Sequence, residues 1–358
     1  MTAPATSSAS GRRWPLDVMR VLAVVGVVAI HTFGAAVSDP ALRGSLRWWF
    51  AVAVDIGFIW VVPLFVMLSG ALILAPRQFS AGPAAFYRRR LLRLAPAFVF
   101  WQAFYILLVR IWFSGTGLGW GDIATSILDG RTYTHLYFLW LIVGLYAVAP
   151  ILAAFLGGGG RRRAFVFAVT VLAVTVVTWS AAAVVTYSGQ PRPLVLMALT
   201  QWLPYVGYFL AGWALRDVIL RGAALAVAVA GTGTAVALTV WQYGTASEHP
   251  LLNALAPVGY PGPLVAVAAI GVFVCVNGAL RSFSPRRAGA RVLQTLSDAA
   301  FGVFLIHFVV LLLLRELPVF ASHGGSPILL TILWLITAAV SFVLVIVLRR
   351  IPGVRRIV

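Results

Sequence analysis

An arginine and a histidine lie eleven residues apart in the first apolar segment of the chain. In the sequence WPLDVMRVLAVVGVVAIHTFG, Arg20 and His31 share one helical face, because eleven steps of 100° end about 20° past three full turns. The helical rise separates them by about 16 Å along the axis. A buried imidazole could act as a general base, while a guanidinium held an anionic group of a long ligand. The alternative is that Arg20 pairs with Asp17 and extends to lipid headgroups, and that His31 only packs.

A carboxylate in the second apolar segment is a candidate partner of this histidine. Asp55 precedes VVPLFVMLSGALIL, and we expect it at a depth comparable with that of His31, because the two segments run in opposite directions. A carboxylate beside an imidazole fixes its tautomer and raises its basicity. Within the same segment, Pro63 predicts a kink and Ser69-Gly70 predicts close helix approach. The alternative is that Asp55 faces external water at a helix end.

Four arginines within six residues precede the third apolar segment and end in Arg90-Leu-Leu-Arg93. This spacing puts Arg90 and Arg93 on one side of a helix. Guanidinium groups are the preferred bidentate partners of phosphate, so the cluster predicts a site for a phosphorylated ligand. Anchoring to anionic lipid explains the same cluster almost as well.

A histidine between two tyrosines opens the fourth apolar segment, in the sequence TYTHLYFL. His135 and Tyr137 could orient a sugar-like acceptor through their polar groups, or they could be anchors at the membrane interface. Further along, His307 interrupts the ninth segment, where we expect it to pack; the alternative is that it hydrogen-bonds a neighbouring helix. Ser297, just before that segment, is predicted to be its N-cap.

The composition sets the elements that must position these side chains. The chain has 358 residues, 61% hydrophobic and 10% charged, with a mean hydropathy of +0.98. Soluble globular domains have about 45–50% apolar residues, so a soluble fold is excluded. A spanning helix needs about 20 apolar residues, and the sequence predicts an all-α polytopic membrane protein with about ten transmembrane helices. The segments are about residues 15–37, 51–75, 93–113, 136–156, 164–186, 198–215, 222–243, 261–280, 299–317 and 328–348.

The charge distribution predicts the topology. All 27 basic residues are arginines, against nine acids, which gives a net charge of +18. The arginines lie between apolar segments and form no basic face of a soluble fold, so we expect no nucleic-acid partner. Twenty of them fall in one set of loops and five, including Arg315, in the other, which predicts that both termini are cytoplasmic in a multi-pass plasma-membrane protein. We divide the chain into a disordered tail at 1–13, a membrane domain at 14–348 and a short basic tail at 349–358.

Several chemistries have no sequence support. The chain contains no Gly-x-x-x-x-Gly-Lys phosphate loop, no Gly-x-Ser-x-Gly elbow and no His-Glu-x-x-His pair. Its single cysteine, Cys275, cannot form an intrachain disulfide. We therefore expect neither a metal site nor a permanently bound cofactor, and no covalent serine or cysteine catalysis.

Six motifs in order resemble the integral-membrane acyltransferase-three superfamily, specifically its branch of surface-polysaccharide O-acyltransferases. The resemblance covers about residues 14 to 348. The motifs are Arg20 through His31 as Arg-x10-His, VPLFVMLSGALIL, Arg90-Leu-Leu-Arg93, HLYFLWLIVGLYAVAPIL, YVGYFLAGWALRD and FGVFLIH. The chain departs from its relatives at Tyr137, where they commonly carry tryptophan.

The resemblance implies an enzyme that transfers an acyl group, commonly acetyl, from cytoplasmic acyl-CoA to a hydroxyl of a carbohydrate or lipid-linked glycan. It implies that His31 is the catalytic histidine and that Arg20, Arg90 and Arg93 hold or support the donor. Two alternatives stay open at this point. One is an exporter or flippase of a glycan or lipid-linked intermediate, and the other is an acyltransferase whose acceptor is a small glycosylated metabolite such as an antibiotic.

Overall fold

The computed structural model describes residues 12–321 and 324–358, which fold into helices with no strand among them. Residues 1–11 of the predicted N-terminal tail lie outside the described residues. The helices are α1 Trp14–Val37, α2 Leu46–Asp55, α3 Val61–Ile73, α4 Gly82–Phe104, α5 Trp120–Leu128, α6 Tyr137–Gly157, α7 Gly160–Tyr187, α8 Val206–Leu215, α9 Gly222–Gly244, α10 Pro250–Leu255, α11 Pro263–Ala279, α12 Arg287–Arg315, α13 Pro318–Ala321 and α14 Pro327–Leu348.

The prediction of an all-α polytopic fold is confirmed. Within the described ranges, eight helical segments are long and apolar enough to cross a membrane. Two further apolar helices, Leu203–Leu215 and Pro263–Ala279, are shorter. Together these ten segments coincide with the ten apolar stretches of the sequence, so the expected number is correct to within the two short helices.

The second membrane segment, Leu46–Ile73, is interrupted rather than continuous. α2 ends at Asp55, a single 3₁₀ turn follows, and α3 begins at Val61. Proline has no N–H to donate to the carbonyl four residues earlier, and its ring clashes with that carbonyl, so Pro63 is tolerated only in the first turn of α3. The predicted disturbance is present, but it lies before the proline and leaves Asp55 at the broken end of α2.

Two glycines allow α3 and α8 to cross at backbone contact. A Cβ atom on Gly70 would overlap the carbonyl oxygen of Phe209, and one on Gly212 would overlap that of Met67. Such contacts between small residues are typical of helix packing in membranes. The expected close approach at Ser69-Gly70 is confirmed, and it lets the short helix α8 lie almost fully buried inside the bundle.

The third membrane segment ends in a π-helical stretch at Tyr105–Phe113. The Tyr105 hydroxyl donates to the carbonyl of Leu305 at 2.9 Å, and Arg110 donates to the Ser126 hydroxyl at 3.0 Å. Arg110 also donates to the carbonyl of Thr132 at 3.4 Å. This stretch therefore fixes the loop that leads into α6 and carries His135.

Candidate active site

One cavity of about 550 Å³ is lined by four arginines, and we call it the arginine cavity. Arg20 comes from α1, Arg90 and Arg93 from the first half of α4, and Arg349 from the end of α14. The structure therefore brings together the three arginines that the sequence predicts as donor-binding. It adds Arg349, which the sequence analysis assigned to the basic tail. The volume of the arginine cavity is in the usual range of small-molecule sites.

Arg20 is held by a network at the start of α1. Its Nη1 donates to the Ser297 hydroxyl at 2.9 Å and lies 3.8 Å from a carboxylate oxygen of Asp17. Asp17 accepts a hydrogen bond from Ser297 at 2.6 Å and two from Arg12, at 2.7 and 2.9 Å. Those bonds to Asp17 raise the pKa of Arg12. The expected pairing of Asp17 with Arg20 exists, but the shorter bonds of Asp17 are those to Arg12 and Ser297.

Ser297 is not the N-cap that the sequence predicts. α12 begins at Arg287, so Ser297 lies inside the helix and its hydroxyl bridges to α1. Residues 287–296 are rich in alanine, leucine and arginine, which favour helix without being continuously apolar. The helix therefore begins well before the apolar segment does.

The two arginines of the Arg90-Leu-Leu-Arg93 motif have different surroundings. Arg90 is half-buried, donates to the side-chain oxygen of Gln78 at 2.7 Å, and lies over the rings of Phe86 and Tyr146. Arg93, one turn further, is exposed at the edge of the cavity. Arg90, held by these contacts, can hold a phosphate in one orientation, and the exposed Arg93 can contact the same phosphate from the cavity edge.

A second cavity, of about 510 Å³, is lined by His31, Asp55, His135 and Tyr137, and we call it the histidine cavity. The structure therefore brings together the four residues predicted to be catalytic or acceptor-binding. A Cβ atom on Gly34, one turn from His31, would lie 3.6 Å from Oδ2 of Asp55, so the carboxylate lies close to α1. Among the described residues, no hydrogen bond joins His31 to Asp55 directly.

Three imidazoles cluster beside this cavity. The ring centre of His31 lies 5.4 Å from that of His307, in a stacked pair, and 6.2 Å from that of His135. His135 and His307 are 5.0 Å apart and fully buried. Among the described residues, no group of His, Cys, Asp and Glu has an arrangement that could hold a metal ion.

His307 is buried, as expected for a packing residue, and it bonds its own helix instead of a neighbouring one. Its Nδ1 lies 2.7 Å from the carbonyl oxygen of Phe304 and 3.2 Å from that of Val303. Carbonyl oxygens only accept, so Nδ1 carries the proton, and in the neutral ring Nε2 keeps its lone pair. The ring of His307 therefore presents a basic nitrogen within the imidazole cluster.

Arg315 is a cation of the histidine cavity that the sequence analysis assigned to an outer loop. It is the last residue of α12 and is half-buried. Its Nη2 donates to the carbonyl oxygens of His31 at 3.1 Å and Thr32 at 3.0 Å. The guanidinium therefore fixes the backbone of α1 at the histidine itself and adds a positive charge to the cavity wall.

Tyrosines form the other wall of the histidine cavity. The rings of Tyr137 and Tyr260 are stacked with centres 6.4 Å apart, and the carbonyl of Tyr260 accepts a hydrogen bond from Tyr208 at 2.7 Å. Burial raises the pKa of Tyr260, in the loop before α11, so its hydroxyl keeps its proton. Aromatic faces with attached hydroxyls can stack on an apolar ligand face and hydrogen-bond its polar edge.

The helices and the two cavities define a multi-pass membrane protein with one pocket lined by arginines and one lined by imidazoles. The chain belongs to the acyltransferase-3 family, because the family model described as an acyltransferase domain matches residues 14–350. This family makes the chain a membrane acyltransferase. No curated protein and no solved structure matches the chain.

Proposed function

We propose that this protein is a plasma-membrane O-acyltransferase that moves an acyl group, commonly acetyl, from cytoplasmic acyl-CoA to a hydroxyl of a cell-envelope carbohydrate or lipid-linked glycan. The observation that carries the proposal is that α1 lines both cavities. Arg20 lies in the arginine cavity, and His31 lies in the histidine cavity. Eleven residues of helix separate them by about 16 Å, a distance that suits a long ligand with an anionic head and a reactive end.

The arginine cavity suits the phosphates of CoA. Arg20, Arg90, Arg93 and Arg349 supply four guanidinium groups, which bind phosphate in bidentate fashion. Positive charge collects on the cytoplasmic side of membrane proteins, so we infer that this cavity opens to the cytoplasm. Arg12, the first described residue, bonds the network around Arg20, and Arg349, which follows α14, lines the same cavity, so the two ends of the membrane domain lie on one side. Both termini are then cytoplasmic.

The histidine cavity suits proton transfer to and from an acceptor hydroxyl. In the proposed step, His31 accepts the hydroxyl proton while the hydroxyl oxygen attacks the thioester carbonyl carbon. The tetrahedral intermediate expels the CoA sulfur as the carbon–sulfur bond breaks, and the imidazolium returns the proton to that sulfur. The products are an ester and free CoA, with no net change in charge.

The remaining residues of the cavity have supporting roles in this proposal. Asp55 supplies a carboxyl group and Arg315 supplies a guanidinium near the reacting atoms. His135 and Tyr137 contact the acceptor together with Tyr260. A sugar offers one apolar face and several hydroxyls, which matches this mixture of rings and polar atoms.

The first test is equilibrium binding of radiolabelled acetyl-CoA to the purified full-length protein in lipid nanodiscs. We expect the wild type to bind and Arg93→Ala to bind at least about fivefold more weakly, because hydrogen bonds to charged groups contribute about 1.5–3 kcal/mol and partial exposure reduces this. Arg88→Ala is the matched control, because Arg88 belongs to the same cluster but does not line the cavity.

Two results of this binding experiment would contradict parts of the proposal. If the wild type binds neither acetyl-CoA nor a longer acyl-CoA, the proposed donor is wrong, and an exporter or flippase of a glycan becomes the better hypothesis. If Arg88→Ala and Arg93→Ala weaken binding equally, the cluster attracts the donor only by its overall charge.

A further inference from the structure

The two cavities share three phenylalanines. Phe65 from α3, Phe138 from α6 and Phe304 from α12 each line both cavities, and no other described residue does. Each helix supplies one ring to the same layer of the bundle. The three side chains, which we call the phenylalanine collar, therefore lie between the arginines and His31.

Phe138 is the central ring of the collar and contacts the other two. The ring centres of Phe65 and Phe138 are 6.1 Å apart, and those of Phe138 and Phe304 are 5.1 Å apart. Aromatic pairs in contact have centre separations of about 4.5–7 Å, so no chain fits within either of these two pairs as it stands. Phe138 and Phe304 are buried, whereas Phe65 is only half-buried and borders open space on both sides. Phe65 is therefore the ring with most room to turn.

Each cavity reaches the surface of the bundle on its own side of the collar. Exposed Arg93 stands at the edge of the arginine cavity, and exposed Ser38 and Thr134 stand at the edge of the histidine cavity. A donor whose phosphates lie among the arginines can bring its thioester to His31 only by passing the collar.

We infer that the phenylalanine collar selects the acyl group by its width. This inference rests on the proposed function. Rotation of the half-buried Phe65 opens a slot for the unbranched thioester end of the donor arm, while the buried rings of Phe138 and Phe304 hold the other two sides. An acetyl group is no wider than the arm that carries it, so it passes. A benzoyl group is wider than the arm, and its passage requires the two buried rings to move as well.

The test compares the dissociation constants of acetyl-CoA and benzoyl-CoA for the full-length protein in nanodiscs. Phe65→Ala removes the movable ring, and its only ring contact among the described residues is with Phe138. We expect benzoyl-CoA to gain at least about tenfold in affinity relative to acetyl-CoA, an ordinary magnitude for steric discrimination in an apolar pocket. Phe301→Ala is the matched control, because Phe301 lines only the arginine cavity, and it leaves the ratio unchanged.

Adenosine 3′,5′-bisphosphate, the head of CoA without its arm, reports on the arginine cavity alone. Its affinity is the same for the wild type and Phe65→Ala if the variant is folded. If Phe65→Ala does not fold, Phe138→Leu opens the same layer with a smaller loss of volume.

The inference is overturned if a folded collar variant keeps the wild-type ratio, or if Phe301→Ala changes the ratio as much as Phe65→Ala does. Failure of the proposed function gives a different result. In that case the wild type binds neither acyl-CoA, and the bisphosphate does not bind either.

Discussion

The arginine cavity and the histidine cavity are nearly equal in volume, at about 550 and 510 Å³, but opposite in chemistry. The first carries four guanidinium groups, which stay charged at any physiological pH and suit the holding of phosphate. The second carries imidazoles, a carboxylate and tyrosines, which suit proton transfer and the orientation of a hydroxyl. In the proposed function, donor binding and proton transfer therefore fall at separate ends of α1, and we expect each to be disabled without the other.

His31→Ala has the largest expected effect, because it removes the proposed base from the histidine cavity. General-base catalysis contributes about 10²–10⁴-fold, so we expect acyl transfer to fall by at least about a hundredfold. The dissociation constant of acetyl-CoA stays within about twofold of the wild-type value, because the arginine cavity is unchanged. A twofold change corresponds to less than about 0.5 kcal/mol of binding free energy. Transfer is measured as radiolabel moved from acetyl-CoA into envelope glycans.

His249→Ala is the control for this prediction, since His249 contacts Trp241 and lines neither cavity. Full activity of His31→Ala contradicts the role of His31 as the base. A loss of donor binding as large as the loss of transfer contradicts the separation of donor binding from proton transfer.

Arg315→Ala tests whether Arg315 supports acyl transfer at His31 or binds the phosphates of the donor. Its two bonds to the carbonyls of His31 and Thr32 fix α1 at the histidine. Loss of a charged hydrogen bond costs about 1.5–3 kcal/mol, so we expect transfer to fall by about tenfold or more. Donor affinity stays unchanged, and Arg131→Ala, in the loop before α6 and outside the cavity, leaves both quantities unchanged. A weaker acetyl-CoA affinity in Arg315→Ala assigns this arginine to the donor instead.

Features that depend on one helix could be predicted from the sequence. The spacing of Arg20 and His31 gives their common face from helical geometry alone, and Arg90 and Arg93 follow the same rule over one turn. The membrane segments follow from hydropathy because each needs only its own residues. Both cavities contain the residues that this reasoning selected, although nothing in one segment determines which other segment it faces.

Features that depend on contacts between distant segments could not be predicted. Arg315 acts on a carbonyl 284 positions away in the chain. Arg349 has the signature of a basic tail, and only the position of the end of α14 makes it part of a cavity. The phenylalanine collar takes one ring from each of three helices, and in sequence each ring is an ordinary apolar residue among many.

Arg349→Ala is expected to weaken acetyl-CoA binding by about threefold to tenfold, less than the loss of a fully buried contact, because the side chain is only half-buried. The neighbouring Arg350 is exposed and does not line the cavity, so Arg350→Ala keeps the wild-type affinity. Binding is measured at low and high salt, since the effect of a partly exposed charge shrinks as the Debye length falls. Equal losses in the two variants at low salt indicate a general electrostatic effect and remove Arg349 from the site.

Ser297→Ala has the smallest expected effect and separates the charge of the arginine cavity from its geometry. The Ser297 hydroxyl accepts from Arg20 and donates to Asp17, so its removal leaves every charge in place but frees the guanidinium. Hydrogen bonds to charged groups contribute about 1.5–3 kcal/mol, but these bonds only position Arg20, whose guanidinium stays in the cavity, so we expect acetyl-CoA to bind only about two- to fivefold more weakly.

The salt dependence of acetyl-CoA binding distinguishes the loss of a charge from the loss of a positioning contact. Arg349→Ala removes a charge and makes donor affinity less sensitive to salt, whereas Ser297→Ala keeps the wild-type sensitivity because the cavity charge is the same. Ser341→Ala is the control, because that serine is buried in α14 away from both cavities. If Ser297→Ala binds the donor with wild-type affinity, the hydrogen bonds of Ser297 only connect α1 to α12. Arg20 then binds the phosphate without being positioned by Ser297.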